Sequence, residues 1–141
     1  MIPAGLFLAD TSALARARHP TVSDRLEHLG RARLLATCPP VDLEVGFSAR
    51  SAAEHTRIAA LRAEHLHDLP LTRETGPRVR RLQARLAAQG MLRAVGVVDL
   101  LVSAVALERQ AVVLHYDEDF EHVAAVSDLQ QQWVVPRGSI P

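Results

Sequence analysis

Residues 95–120 read VGVVDLLVSAVALERQAVVLHYDEDF. Apolar residues recur at helical offsets through the first half of this stretch, which predicts a buried helix. Asp99 falls in the first turn of that helix, where the helix dipole and unpaired N–H groups favour negative charge. Residues 111–114 form a short apolar run between polar residues, which predicts a buried strand, and the acids of residues 117–119 follow it. The acidic start of the helix and the acidic end of the strand therefore predict two walls of one site.

The composition is that of a globular chain without a global charge that would attract nucleic acid. Of its 141 residues, 48% are hydrophobic and 23% are charged, which is typical of one soluble domain spanning residues 1–141. The formal net charge is zero and all 16 basic residues are Arg, so RNA binding would require a local Arg patch. The single cysteine, Cys38, excludes an internal disulfide and a cysteine metal cluster, and it fits a reducing cytoplasm. No window approaches the length of a membrane span, so no membrane association is expected.

Outside residues 95–120, strand patterns alternate with helical patterns. The elements predicted along the chain are strands at 6–9, 33–37, 111–114 and 133–135, and helices at 21–30, from 39, from 51, at 72–90, from 98 and at 120–126. Ser51 and Glu54 match a capping box, and Ile58, Leu61 and Leu66 form the predicted inner face of the helix that follows. Such alternation predicts an α/β fold with a parallel sheet covered by helices on both faces.

The helix predicted at residues 72–90 carries a basic stripe. Arg78, Arg81 and Arg85 follow one another at helical offsets beside an apolar face. A stripe of this kind is either solvated helix surface or a patch that contacts a phosphate backbone. It is the best candidate in this sequence for nucleic-acid contact.

Four acids fall at strand ends or helix starts, which occupy the same rim of a parallel sheet. Asp10 and Asp117 follow predicted strands, whereas Glu44 and Asp99 lie near the starts of predicted helices. Each acid alone could be a helix cap or a partner of the helix dipole. Together they would repel one another unless a cation lay among them, and oxygen-only ligands favour Mg²⁺ or Mn²⁺. The chemistry indicated is metal-assisted hydrolysis of a phosphodiester.

The ordered motifs Asp10-Thr11-Ser12, Glu44, VDLL at 98–101 and LHYDEDF at 114–120 resemble those of a PIN domain, and more narrowly those of the VapC toxins of type II toxin–antitoxin systems. The resemblance covers nearly the whole chain. It implies a PIN-like three-layer α/β fold, with a short, mostly parallel central sheet flanked by helices. It also carries the metal-binding acids of the family over to Asp10, Glu44, Asp99 and Asp117.

Three further residues take supporting roles by this resemblance. Ser12 matches a position whose hydroxyl lines the site of the family, and Asp119 matches a second acid that holds an outer-sphere water or orders the loop. His115 departs from the pattern, because the family often has Thr there. Its ring could bond a carboxylate or a phosphate, or it could be a buried His satisfied beside a strand end.

The resemblance implies a Mg²⁺-dependent (or Mn²⁺-dependent) endoribonuclease toxin that cleaves structured RNA such as tRNA or rRNA. It further implies a homodimer and a cognate VapB-type antitoxin that places a peptide segment in the acidic cleft. Arg78, Arg81, Arg85 or Arg93 would then line the RNA groove. A phospho-relay receiver domain also gathers acids at strand ends, but it requires a Lys that this chain lacks. A catalytically silent PIN-like binding module remains the alternative.

Overall fold

The computed structural model describes residues 5–141, which form five strands and seven helices. The strands are β1 (Phe7–Ala9), β2 (Leu35–Thr37), β3 (His67–Asp68), β4 (Val112–His115) and β5 (Gln131–Trp133). The helices are α1 (Thr11–Leu14), α2 (Pro20–Arg31), α3 (Pro39–Phe47), α4 (Ala52–His65), α5 (Thr75–Ala88), α6 (Val97–Arg109) and α7 (Asp119–Ala125). Among these described helices, none is both long and apolar enough to cross a membrane.

The five strands form one sheet in the order β3-β2-β1-β4-β5, and every neighbouring pair is parallel. Leu8 of β1 lies beside Ala36 of β2 on one side and Val113 of β4 on the other. The chain order reverses at β1, so the carboxyl ends of β1 and β4 border a crevice of the kind that binds ligands in open α/β sheets. The predicted α/β class with a mostly parallel sheet is confirmed, and the described strands are all parallel.

Successive residues of each strand point to opposite faces of the sheet, and each face is covered by helices. Leu8 and Val113 pack in a core formed with α5, α6 and α7, whereas Ala9 and Leu114 pack in a second core formed with α1 and α2. This sandwich of helix, sheet and helix gives the predicted three layers.

Helix α6 is the central element of the larger core. Residues from Leu100 to Ala106 are 0–3% exposed except for Leu101, because apolar side chains surround the helix on nearly every side. The buried Ser103 hydroxyl donates to the Asp99 carbonyl, 2.7 Å away, one turn earlier. The helix ends where Gln110 adopts φ 53°, and the chain then turns into β4. The helix and strand predicted from residues 95–120 are confirmed.

Several predicted helix boundaries are also confirmed. Ser51 Oγ accepts from Glu54 N at 3.1 Å and caps α4, although Glu54 Oε2 accepts from Arg50 N rather than from Ser51 N. Helix α5 buries Leu82 and Leu86 and ends before Gly90, whose φ of 72° favours glycine.

Other boundaries differ from the prediction. The second helix begins at Pro20, after His19, because proline fits the first helical turn and needs no N–H partner there. Strand β3 was not predicted, since two residues carry no periodic signal. The last strand lies two residues earlier than predicted. Helix α4 buries no residue, and its predicted inner face lines an open groove in which Leu61 is 57% exposed.

Candidate metal centre

Asp10 is the first residue after β1 and caps α1. Its Oδ2 accepts from the backbone N of Ser12 at 3.0 Å and from the Ser12 hydroxyl at 2.6 Å. Asp10 is only 2% exposed, and its Oδ1 is buried without a hydrogen-bond partner among residues 5–141. A buried carboxylate oxygen is rarely left unpaired, so this atom is available to bind a cation.

Three further carboxylates meet beside it. Asp99 from the first turn of α6, Asp117 from the loop after β4 and Asp119 from the start of α7 each present an oxygen within 4.8 Å of the others. Asp119 N donates to Asp117 Oδ1 at 2.9 Å, and Gly96 N donates to Asp119 Oδ2 at 3.1 Å. The loop before α6 and the loop after β4 are thereby tied together at the acids.

The acids strongly influence one another's protonation. Burial, a hydrogen bond with Asp119 and the negative charges of Asp10, Asp117 and Asp119 raise the pKa of Asp99 to about 8. Burial also raises the pKa of Asp117, and the charges of Asp119 and Asp10 add to that increase. Asp10 thus belongs to the same electrostatic group as the other three. A cation placed among them would relieve the repulsion.

Glu44 lies at the edge of this group. Its Oε1 accepts from the hydroxyl of Thr11, the residue after Asp10, at 2.9 Å. It borders an apolar groove rather than the tight trio of carboxylates. The structure therefore brings Asp10, Asp99 and Asp117 together as the sequence predicts. Asp119 also lies within this cluster, whereas Glu44 lies at its edge.

The predicted supporting residues hold the acids in place. The Ser12 hydroxyl donates to Asp10 and accepts from Tyr116 N at 2.9 Å, so it links the exits of β1 and β4. The buried His115 ring accepts from Asp117 N on Nδ1 at 3.0 Å, and its Nε2 lies 2.6 Å from Gln131 Oε1. Burial lowers the pKa of His115.

The predicted Arg stripe lies at the other end of the sheet. Arg78, Arg81 and Arg85 line one cavity with residues that precede β5, and Arg78 also borders Gln110, which precedes β4. These are the amino ends of the strands, whereas the acids lie at the carboxyl ends. Arg93 is exposed in the loop between α5 and α6, three residues before Gly96, and is thus closer in sequence to the site.

Two sets of contacts near the acids were not predicted from the sequence. Arg137 donates to Glu118 Oε2 at 2.6 Å and to Glu121 Oε1 at 3.0 Å, and its guanidinium lies 5.3 Å from the centre of the Trp133 ring. Gln131 reaches His115 from the edge strand. Both join residues that are distant in sequence, and no local motif marks them.

Comparison with known proteins places these features in a family. A family model described as PIN domain matches residues 7–126. Ribonuclease VapC21 of Mycobacterium tuberculosis is 38% identical over 133 residues, which cover 94% of this chain and 96% of the relative. Ribonuclease VapC51 of the same organism is 40% identical over 137 residues, covering 95% and 96%.

Solved structures share the fold at lower sequence identity. VapBC2 from Rickettsia felis, bound to a DNA fragment from its promoter, gives a TM-score of 0.74 at 14% identity, covering 90% of this chain and 97% of that one. VapBC-1 from nontypeable Haemophilus influenzae gives 0.74 at 20% identity, covering 92% and 98%. These likenesses confirm the α/β architecture.

Proposed function

Because this chain belongs to the PIN domain family and is a relative of the VapC ribonucleases, we propose that it is a metal-dependent endoribonuclease and the toxin of a type II toxin–antitoxin pair. The observation that carries the proposal is the convergence of Asp10, Asp99, Asp117 and Asp119 at the crevice between β1 and β4. Like charges held together disfavour one another's ionised form, and a cation bound among them would remove this repulsion.

The residues present fit a hard divalent cation. The unpaired Asp10 Oδ1 and the oxygens of Asp99 and Asp117 would hold it, while Asp119 and Glu44 would bind its water ligands. An all-oxygen donor set favours Mg²⁺ or Mn²⁺. When bound, the ion would lower the pKa of a water molecule and stabilise negative charge on the phosphate.

The chain itself prepares the site for the ion. Near neutral pH the raised pKa of Asp99 keeps a proton among the acids, and this proton must leave when a cation binds. Ser12 fixes the rotamer of Asp10, and the backbone N of Asp119 fixes that of Asp117. Asp10 and Asp117 are thus oriented before a cation or substrate arrives.

The proposed substrate is structured RNA, such as tRNA or rRNA. The neutral net charge gives no long-range attraction, so contact depends on the local surroundings of the acids. Of the four predicted Arg residues, Arg93 lies in the exposed loop that leads to Gly96, and Gly96 N donates to Asp119. We therefore expect Arg93, more than the stripe on α5, to contact the phosphate backbone.

The proposed partner is a VapB-type antitoxin. The groove between α3 and α4 is lined by apolar side chains, of which Leu61 is exposed and Val45, Ile58 and Leu66 are half-buried. An amphipathic helix of the antitoxin would cover these side chains. An Arg beyond that helix could then reach the acids and form charge-assisted hydrogen bonds.

A second copy of the chain is the proposed occupant of another surface, the Phe47 face. We define this face by Leu43, Phe47, Leu71, Val98 and Leu101, which border one groove. Phe47 is 93% exposed and Leu43 is 75% exposed, which is unusual for adjacent large apolar side chains of a monomer. Pairing of two Phe47 faces would remove them from water.

Cleavage of total RNA by antitoxin-free protein tests the proposed activity. Wild type should give discrete products that require added Mg²⁺ or Mn²⁺, and Asp99→Asn should give none. Asp24→Asn removes an exposed acid from α2 and is the matched control, which should cleave like wild type. Intact RNA with wild-type protein that binds metal would favour the silent binding module.

A further inference from the structure

We propose that His115 is a positioning residue, whose neutral ring holds the backbone of Asp117 so that its carboxylate faces the metal centre, and that Gln131 holds the ring in place by accepting from its Nε2–H. This inference rests on the proposed function, because it assigns Asp117 to the metal centre. It concerns the position at which the sequence departs from the family pattern.

The hydrogen bonds of His115 define which nitrogen carries the proton. Nδ1 accepts from Asp117 N at 3.0 Å, so Nδ1 itself carries no hydrogen. The proton of the neutral ring is therefore on Nε2, which donates to Gln131 Oε1 at 2.6 Å. Both nitrogens of the neutral ring are therefore satisfied.

The surroundings of the ring prevent it from turning away. His115 is 0% exposed, and its centroid lies 5.0 Å from those of both Phe120 and Trp133. Packing, burial and hydrogen bonding all select one orientation of one tautomer.

The consequence for Asp117 is that its backbone and side chain are both fixed. Its N–H is bound by His115, while its Oδ1 accepts from Asp119 N at 2.9 Å. One carboxylate oxygen of this fixed side chain lies within 4.8 Å of oxygens of Asp99 and Asp119. Outer-shell contacts of this kind commonly change metal affinity by ~10–100-fold when removed.

Two substitutions separate positioning from packing. In His115→Asn the amide oxygen is bonded to Cγ, as Nδ1 is, so it can accept from Asp117 N. In His115→Gln the amide lies one atom further along the side chain, near the position of Nε2, so it can reach Gln131 but not Asp117 N. Both variants introduce a neutral amide in place of the buried ring, so a general packing loss would affect them alike.

The experiment measures Mn²⁺ binding to the full chain by calorimetry, with thermal unfolding and RNA cleavage recorded on the same samples. We expect His115→Asn to stay within ~3-fold of the wild-type Mn²⁺ affinity and His115→Gln to lose ~10-fold or more. Imidazole ¹⁵N shifts of metal-free wild type should show a proton on Nε2 and none on Nδ1. In Gln131→Leu the Nε2 signal should shift because its acceptor is lost, while Nδ1 stays unprotonated because it still accepts from Asp117 N.

Other results would overturn the inference. Equal Mn²⁺ affinity in all three proteins, or an equal loss in both variants, would show that the bond to Asp117 N does not position the carboxylate. A proton on Nδ1 would exclude the proposed hydrogen bond. Wild-type protein that binds no Mn²⁺ would instead contradict the proposed function, which distinguishes the two failures.

Discussion

At the scale of single residues, Asp99 is held in the least favourable surroundings of the described acids. Its pKa of about 8 means that the native state keeps a proton which the unfolded chain releases near pH 4. Between these values the native state binds more protons than the unfolded state, so this group lowers the free energy of unfolding as pH rises. Above about pH 8 Asp99 is ionised in both states, and the free energy of unfolding falls no further because of this group.

Asp99→Asn should therefore stabilise the metal-free protein. At a pH above 8 we expect its free energy of unfolding to exceed that of wild type by about 1–2 kcal/mol, a value reduced for solvent screening of a partly exposed group. Near pH 4 the two proteins should be equally stable. Urea titrations in EDTA measure both values, and the Asp24→Asn control should show no such pH-dependent difference. If Asp99→Asn were less stable than wild type at high pH, repulsion among the acids would not be what destabilises the native state.

Ser12 gives a second prediction at this scale. Ser12→Ala removes the hydroxyl that donates to Asp10 Oδ2 and leaves Tyr116 N without its acceptor. We expect a loss of about 1–2 kcal/mol in the free energy of unfolding, measured in urea. Ser48→Ala, which removes an exposed hydroxyl bonded to the Val45 carbonyl, should cost less than about 0.5 kcal/mol. Equal losses in the two variants would contradict the linking role of Ser12.

The sequence predicted three of the acids that lie together, but it placed Glu44 among them instead of Asp119, and it did not show how each acid is held. Asp10, Asp99 and Asp117 were predictable because strand ends and helix starts share a rim of a parallel sheet. Asp119 lies among the acids because of a turn in which Asp119 N donates to the Asp117 side chain. His115 bonds Gln131, which comes from the edge strand. Side-chain rotamers of this kind leave no periodic signal. The assignment of these acids as metal ligands stays a prediction.

At the scale of elements, α5 separates its basic stripe from the acids. Triple substitution of Arg78, Arg81 and Arg85 by Ala should leave RNA cleavage within about 2-fold of wild type, since these side chains lie at the amino ends of the strands.

Arg93→Ala should slow cleavage by about 3-fold or more at low salt and by less at high salt, as expected for a phosphate contact. Cleavage rates at two salt concentrations test both. If the cleavage rate fell on substitution of the α5 stripe but not on substitution of Arg93, the RNA would contact α5 instead.

The elements themselves were predictable in proportion to their length and periodicity. Helix α6 and strand β4 follow from residues 95–120 because a long apolar helix and a short apolar run differ clearly. Strand β3 has two residues, and strand β5 lies at an edge where polar residues are tolerated, so neither carries a strong pattern. The apolar face of α4 was found, but its periodicity cannot tell a core from an uncovered groove.

At the scale of the whole molecule, two uncovered apolar surfaces predict two different partners. Phe47→Glu should convert a dimer to a monomer while antitoxin binding persists, because Phe47 lies on the Phe47 face. Leu61→Glu should leave the dimer intact and weaken antitoxin binding, because Leu61 lies in the groove between α3 and α4. Both side chains are largely exposed, so thermal unfolding of the isolated protein should change little.

Light scattering gives the mass of each variant, and calorimetry with the cognate antitoxin gives its affinity. The two variants serve as controls for each other, since each adds one carboxylate to an exposed apolar site. A wild-type monomer at high concentration would contradict the dimer. Loss of both properties in one variant would indicate that the two surfaces act as one.

Asp10 directly follows the first strand and Asp119 begins the last helix, which has a consequence for synthesis. Strand β1 pairs with β2 early in the chain, but its other partner is β4, which the ribosome makes much later. A nascent chain that has completed α4 already contains Asp10 and Glu44, yet the acids of α6, the β4 exit and α7 have not been made. The proposed toxin therefore remains harmless through most of its own translation and gains its cutting site only when the final third of the chain folds against the first strand.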